Sequence, residues 1–254
     1  NYIFSFYLGE QKEDLEYCLS GYYENFGYKE KRGFSFEEPE EPEGESREKT
    51  KALCIGIAGA IARMGTTTQA VQFVKSLQFL GYRAAYIQMN SHGFAEAVSE
   101  FYEEVEIDKE IGRVSYADVD MFYRMDKLQD VLQLGYDYLV FDYGVTGEHG
   151  FNKVSFLEKD SQILVVGSKP GGEFEKTYNV IRNNFYNKVH YIFNFISQGE
   201  RKDILELMED KASVTFFAGD CRDPFLFDGD TSIAEKILMV GAKEKAVKFL
   251  KDVF

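Results

Sequence analysis

The chain is poor in cysteine: Cys18, Cys54 and Cys221 lie far apart and form no CxxC pair. That spacing excludes a disulfide framework and a zinc site, and it fits a reducing compartment. No apolar run approaches the roughly 18–20 residues of a membrane span, and the first residues lack the basic start and apolar stretch of a secretion signal. A cytoplasmic protein is expected. The chain begins with Asn1 and not Met, so an upstream region is expected as well. Basic residues are in deficit, 29 against 43 acids for a net charge of −14, which opposes sequence-independent adhesion to DNA phosphates. No GxSxG elbow is present, and no cysteine has the surroundings of a nucleophile, so serine or cysteine hydrolase chemistry is not indicated. His92, His149 and His190 are scattered without ligand spacing, which favours surface or supporting roles over a metal site.

What is present falls into three parts. Residues 1–35 form an aromatic-rich arm, with Tyr2, Phe4, Phe6 and Tyr7 in strand-like alternation, too short to be a domain alone. Residues 36–50 read FEEPEEPEGESREKT, a charged, proline-bearing linker that cannot bury enough apolar surface to order itself. From residue 51 to 254, apolar runs bounded by turns alternate with helical periodicity. That is the pattern of βαβ units around a buried parallel sheet, and it predicts an α/β fold with a mostly parallel, doubly wound sheet between two helical layers. Strands are predicted at 52–58, 83–89, 138–143, 162–167, 189–196 and 213–218. Helices are predicted at 67–80, 95–104, 173–184, 201–210, 231–240 and 243–254, the first stopped by Gly81.

The segment CIGIAGAIARMGTTTQAVQFV, from Cys54, sets a glycine-bearing turn between an apolar strand and an amphipathic helix. A phosphate sits on a helix N-terminus in such a context. A complete P-loop reads GxxxxGK[ST], its lysine reaching the terminal phosphates and its hydroxyl binding magnesium. Here Gly65 and Thr67 match, but Ala60 stands at the first glycine and Thr66 at the lysine. A plainer reading also stands: Thr66 with Gln69 has the spacing of a capping box and would simply start a helix. A dinucleotide site is disfavoured, since GxGxxG is absent and the second strand ends in Gln88, Met89 and Asn90 instead of a ribose-binding acid.

Three further segments extend the pattern: YDYLVFDYG at Tyr136–Gly144, HYIFNFI from His190, and FFAGDCRDPFLFD from Phe216. With the loop, they make residues 51–240 resemble the deviant Walker P-loop family that includes the MinD, ParA and TadZ proteins. The resemblance implies a nucleotide site formed by Gly59, Ala60, Ile61, Ala62, Arg63, Met64, Gly65, Thr66, Thr67 and Thr68, with Asn194 at the base. It implies magnesium held through Thr67 and Asp142, and ATP or ADP as the ligand. Where that family carries a trans-acting lysine, a P-loop lysine and an acidic pair, this chain carries Ile61, Thr66, Gln88 and Asn90. Phosphoryl transfer rests on positioning and on positive charge at the γ-phosphate, so these losses should harm hydrolysis much more than fold.

The expected function is therefore a degenerate MinD/ParA/TadZ-like positioning or interaction platform, responsive to nucleotide or independent of it, with weak or no ATP hydrolysis. The alternative is an active ATPase in which Arg63 or another residue replaces the lysine. A third class is an enzyme on the same fold for another phosphorylated or anionic ligand. Protein partners and a homodimer are implied by the resemblance. Capsule-type tyrosine kinases share this branch, but no tyrosine cluster follows Tyr191. The final helix, KEKAVKFLKDVF, sets Val247, Leu250 and Phe254 on one face beside Lys245, Lys248 and Lys251. It would serve peripheral contact with the inner face of a membrane or simple packing on the sheet. A dyad of Glu148 with His149 at the switch loop is a further candidate.

Overall fold

The computed structural model describes residues 51–184 and 189–239. The arm, the linker and the final helix of the sequence reading lie outside these residues. The elements run, in order, β1 (Leu53–Gly59), α1 (Thr66–Phe79), β2 (Ala84–Gln88), α2 (Phe94–Phe101), β3 (Glu106–Asp108), β4 (Arg113–Tyr116), β5 (Val119–Phe122), α3 (Leu128–Val131), β6 (Tyr138–Val145), α4 (Lys153–Leu157), β7 (Ser161–Val166), α5 (Glu173–Asn184), β8 (Val189–Phe193), α6 (Arg201–Met208) and β9 (Thr215–Phe217). Helical backbone follows over 232–239.

The strands form one sheet of order β3-β4-β5-β2-β6-β1-β7-β8-β9. Pairings from β5 to β9 are parallel, while β3, β4 and β5 join antiparallel at one edge. The six predicted strands are all present, because parallel strands covered on both faces must be apolar at nearly every position. In β6, Val140 packs with Ile55, Ile57, Val71 and Val74 on one face. Its neighbours Leu139 and Phe141 pack with Phe156, Ile204 and Met208 on the other. The first face is covered by α1, α2 and the helix at 232–239 through Ala70, Leu77, Val98, Ala234 and Ile237. The second is covered by α3, α4 and α6. This is the three-layer arrangement expected.

The antiparallel edge was not predicted. Its β4–β5 hairpin turns on Ala117 and Asp118, both left-handed at φ 48° and 63°, the double positive φ of a two-residue type I′ turn. Its β3–β4 turn is closed by Asp108 Oδ1, which accepts from the Glu110 amide at 3.0 Å. Helix α2 ends at Phe101, earlier than the expected 104, as Tyr102 turns extended at φ −106° and ψ 144°. Strand β8 ends at Phe193, since Phe195 adopts φ 60°, which no strand accommodates.

Candidate functional site

Strand β1 pairs in register with β6 as far as Ile57 with Asp142, then slips so that Gly59 faces Val145. The chain leaves the sheet there. The Gly59 carbonyl accepts from the Thr146 amide at 2.8 Å, and the Ala60 amide donates to the Val165 carbonyl at 2.9 Å, so both flanking strands hold the loop's entry. Arg63 is exposed and left-handed at φ 62°. Ala60 and Met64 are buried.

Helix α1 begins differently from the capping-box reading, which the structure overturns. Its N-cap is Gly65, at φ 82° and ψ 27°, and no side chain caps it. The first helical bond runs from the Gln69 amide to the Gly65 carbonyl at 2.9 Å. The amides of Thr66, Thr67 and Thr68 therefore precede the ladder, as orphan donors at the positive end of the helix dipole. Thr66 lies inside the helix and folds back toward β1: a β-carbon on Gly59 would run into its Oγ1. A β-carbon on Gly65 would stand 2.6 Å from Asn194 Nδ2. Both glycines are thus fixed by close approach, one to the Thr66 side chain at the start of α1 and one to Asn194 just past β8. Asn194 is buried and donates through Nδ2 to the Met64 carbonyl at 3.0 Å.

Thr67 and Asp142, 75 residues apart, are brought together. Thr67 Oγ1 donates to Asp142 Oδ2 at 2.6 Å. The same oxygen accepts from the Tyr86 hydroxyl at 2.8 Å, and Oδ1 accepts from the Gly144 amide at 2.9 Å. Asp142 and Tyr86 are both 0 % exposed. A buried carboxylate is tolerated only when donors satisfy it, and here three neutral ones do. Burial, then the Asp142 charge, pushes the Tyr86 hydroxyl well above its ordinary range, which keeps it a neutral donor. Thr67 has spent its proton on Asp142, so its lone pairs remain to accept.

The positions of the family's acidic pair look elsewhere. Gln88 Oε1 accepts from the Ala95 amide at 2.9 Å and Nε2 donates to Glu96 at 2.9 Å, so Gln88 caps α2 from the side. Asn90 donates to the Asp142 carbonyl at 3.1 Å and accepts from the His92 amide at 3.0 Å. The expected Glu148–His149 dyad is not formed. Glu148 pairs with His92 at 3.3 Å, and both line a cavity of about 310 Å³ with Tyr143, His149 and Phe151. His190 is buried against Phe216 within the sheet and not on the surface. Among the described residues, no group of three or more His, Cys, Asp or Glu side chains could hold a metal ion. None of their helices is long and apolar enough to cross a membrane.

Sequence reasoning brought the loop, Thr67, Asp142 and Asn194 to one place. It missed Tyr86, which reads as one more apolar residue of a core strand. It also missed the His92–Glu148 pair, whose members are 56 residues apart.

No family model and no curated protein matches the chain. Solved structures do. A plasmid partition protein of Borrelia burgdorferi B31, bound to AMPPNP, matches with a TM-score of 0.51 at 16% identity, over 77% of this chain and 100% of that one. MinD of Aquifex aeolicus matches with a TM-score of 0.52 at 14% identity, over 77% of this chain and 98% of that one. The same MinD in complex with MinC matches with a TM-score of 0.51 at 14% identity, over 77% and 96%. The chain shares the fold of these P-loop proteins.

Proposed function

We propose that the chain is a nucleotide-binding interaction platform of MinD/ParA type whose hydrolytic machinery has been lost. The observation that carries this reading is the Thr67–Asp142 hydrogen bond at the uncapped start of α1. It keeps the acceptor geometry of a nucleotide site while Thr66 and Ile61 occupy the places of two lysines. Backbone amides and a helix dipole attract an anion by about 0.3–1 kcal/mol, enough to orient a phosphate. That is far short of what stabilising the charge of a γ-phosphoryl transfer demands.

Magnesium fits the donor set. Thr67 Oγ1 and the Asp142 carboxylate are hard oxygen donors, and Asp142 Oδ1 has one protein bond and room for another. Bound there with nucleotide, the ion would neutralise phosphate charge in the absence of the lysines. Thr67 would contact it directly, and Asp142 would orient Thr67. The Borrelia neighbour holds AMPPNP and the Aquifex MinD forms a complex with MinC, which supports nucleotide and a protein partner here as well. Action in the cytoplasm, as a homodimer and at the inner face of a membrane belongs to the same proposal.

Calorimetry with ATP and magnesium, run beside a phosphate-release assay, tests it. Saturable binding that weakens in Thr67→Ala, with release no faster than in buffer, is expected. Rapid release that disappears in Asp142→Ala would show an active ATPase, with Arg63 the first candidate for the missing cation. Absence of saturable binding would leave the fold without this function.

A further inference from the structure

A cavity of about 480 Å³ lies at the end of the sheet where the parallel strands β2, β5 and β6 begin, opposite the phosphate loop. Helix α1 starts at the loop and ends at this cavity. Four aromatic rings wall it: Phe79 at the last position of α1, Tyr82 in the turn that follows, Tyr136 ahead of β6, and Phe227. Phe79, 68 % exposed, meets Phe227 edge to face at 5.8 Å, and Tyr82, 41 % exposed, meets Tyr138 at 5.0 Å. Rings held by one another and not by burial leave apolar surface open to a ligand. Small molecules bind in hollows of roughly 300–1,000 Å³ with aromatic walls and a few placed polar groups.

The polar groups of the lining divide into spent and unspent. Asp120 is spent: it accepts from the Tyr136 hydroxyl at 2.5 Å and from Ser115, and it faces Arg113 at 3.9 Å. Gln78 is spent on the Asp118 and Ala84 carbonyls. Lys75 donates once, to the Ala117 carbonyl at 2.9 Å, and its ammonium has two further protons to give. Arg83 donates through Nη1 to the Gly135 carbonyl at 3.1 Å, with its guanidinium 5.3 Å from the Tyr136 ring centroid, and keeps the rest of its fork. Asp118, in the β4–β5 turn, is exposed, and among the described residues its carboxylate has no hydrogen-bond or ion-pair partner.

Two cations and one carboxylate therefore border a ring-lined hollow. A purely anionic ligand would meet repulsion from Asp118, and a purely cationic one from Lys75 and Arg83. An apolar ligand would cover all three charges without pairing any of them, which costs free energy. We infer that this cavity is a binding site for an aromatic α-amino acid. The ring lies among Phe79, Tyr82, Tyr136 and Phe227, the carboxylate on Lys75 and Arg83, and the ammonium on Asp118. The site stands at the far end of α1 from the phosphate loop and does not depend on the function proposed there.

The test titrates the full chain by calorimetry with four probes: L-phenylalanine, phenylpropionate, which lacks the ammonium, phenethylamine, which lacks the carboxylate, and L-alanine, which lacks the ring. L-phenylalanine should bind saturably and more tightly than the other three. Asp118→Asn removes the charge while asparagine keeps the left-handed turn. It should weaken L-phenylalanine by about two- to fivefold, as expected of an exposed ion pair, without weakening phenylpropionate. Lys75→Gln should weaken L-phenylalanine and phenylpropionate without weakening phenethylamine. The inference is overturned if L-phenylalanine does not bind saturably, or binds no more tightly than L-alanine. An equal loss of L-phenylalanine and phenylpropionate in Asp118→Asn would overturn it too, since that pattern marks a disturbed turn and not a lost charge.

Discussion

Replacing Tyr86 by phenylalanine removes one atom from the buried centre of the candidate site. The hydroxyl donates to Asp142 Oδ2 at 2.8 Å, and both residues are closed to water. A hydrogen bond to a charged acceptor contributes roughly 1.5–3 kcal/mol net. The ring stays in place, so no large cavity opens, and Asp142 keeps its bonds from Thr67 and Gly144. A loss of about 1.5–3 kcal/mol is therefore expected. In urea denaturation, at an m-value of about 2 kcal/mol/M, this lowers the midpoint by roughly 1 M with the slope unchanged. A double-mutant cycle with Asp142→Asn isolates the pair and should return a coupling of the same order. A Tyr86→Phe cost below about 0.5 kcal/mol, the range of an ordinary surface change, or no coupling to Asp142, would refute the reasoning that this carboxylate is held by neutral donors.

Other expectations follow from the same geometry. Thr66→Lys restores a cation at the head of α1 and should tighten tripolyphosphate binding about tenfold or more; an unchanged affinity in a titration would show that the loop does not present this position to the anion. Burial pushes the hydroxyls of Tyr143 and Tyr191 up to about 12 and that of Tyr86 well above its ordinary range. Unfolded tyrosine ionises near pH 10, roughly, so the stability these residues contribute is complete below that pH. It is lost as pH rises toward the folded values, by about 1.4 kcal/mol per pH unit for each tyrosine. Melting temperatures measured from pH 8 to 11, roughly the span bracketing that ionisation, should stay level at first and then fall; a level profile throughout would contradict the burial argument.

The parallel core was legible in the sequence because two-sided burial writes itself as apolar runs, as in Tyr138–Phe141. The edge strands were not, because β3 is three residues long and largely exposed, and the β4–β5 turn uses Ala117 and Asp118 where glycine would have signalled it. Helix α4 escaped for a related reason. It has five residues, too few for periodicity, and is fixed by the Asn152 side chain accepting from the Ser155 amide. At the site, Thr67 was found through motif spacing, and Asp142 only through the resemblance of its segment to the deviant Walker family. The capping box was misread because Thr66 and Gln69 have the right separation, yet Gly65, one residue earlier, takes the cap with its left-handed backbone. Tyr86 matters through what it touches across the sheet, Asp142, and that contact leaves no trace in local sequence.

The central claim is that the start of α1 still receives phosphate although its cations are gone. Backbone amide resonances of residues 59–68, followed by NMR as ATP and magnesium are added, test it most directly. The account predicts saturable shifts concentrated at Gly65, Thr66, Thr67 and Thr68, abolished by Thr67→Ala. Shifts confined to the cavity between His92 and Phe151, or none at all, would contradict it.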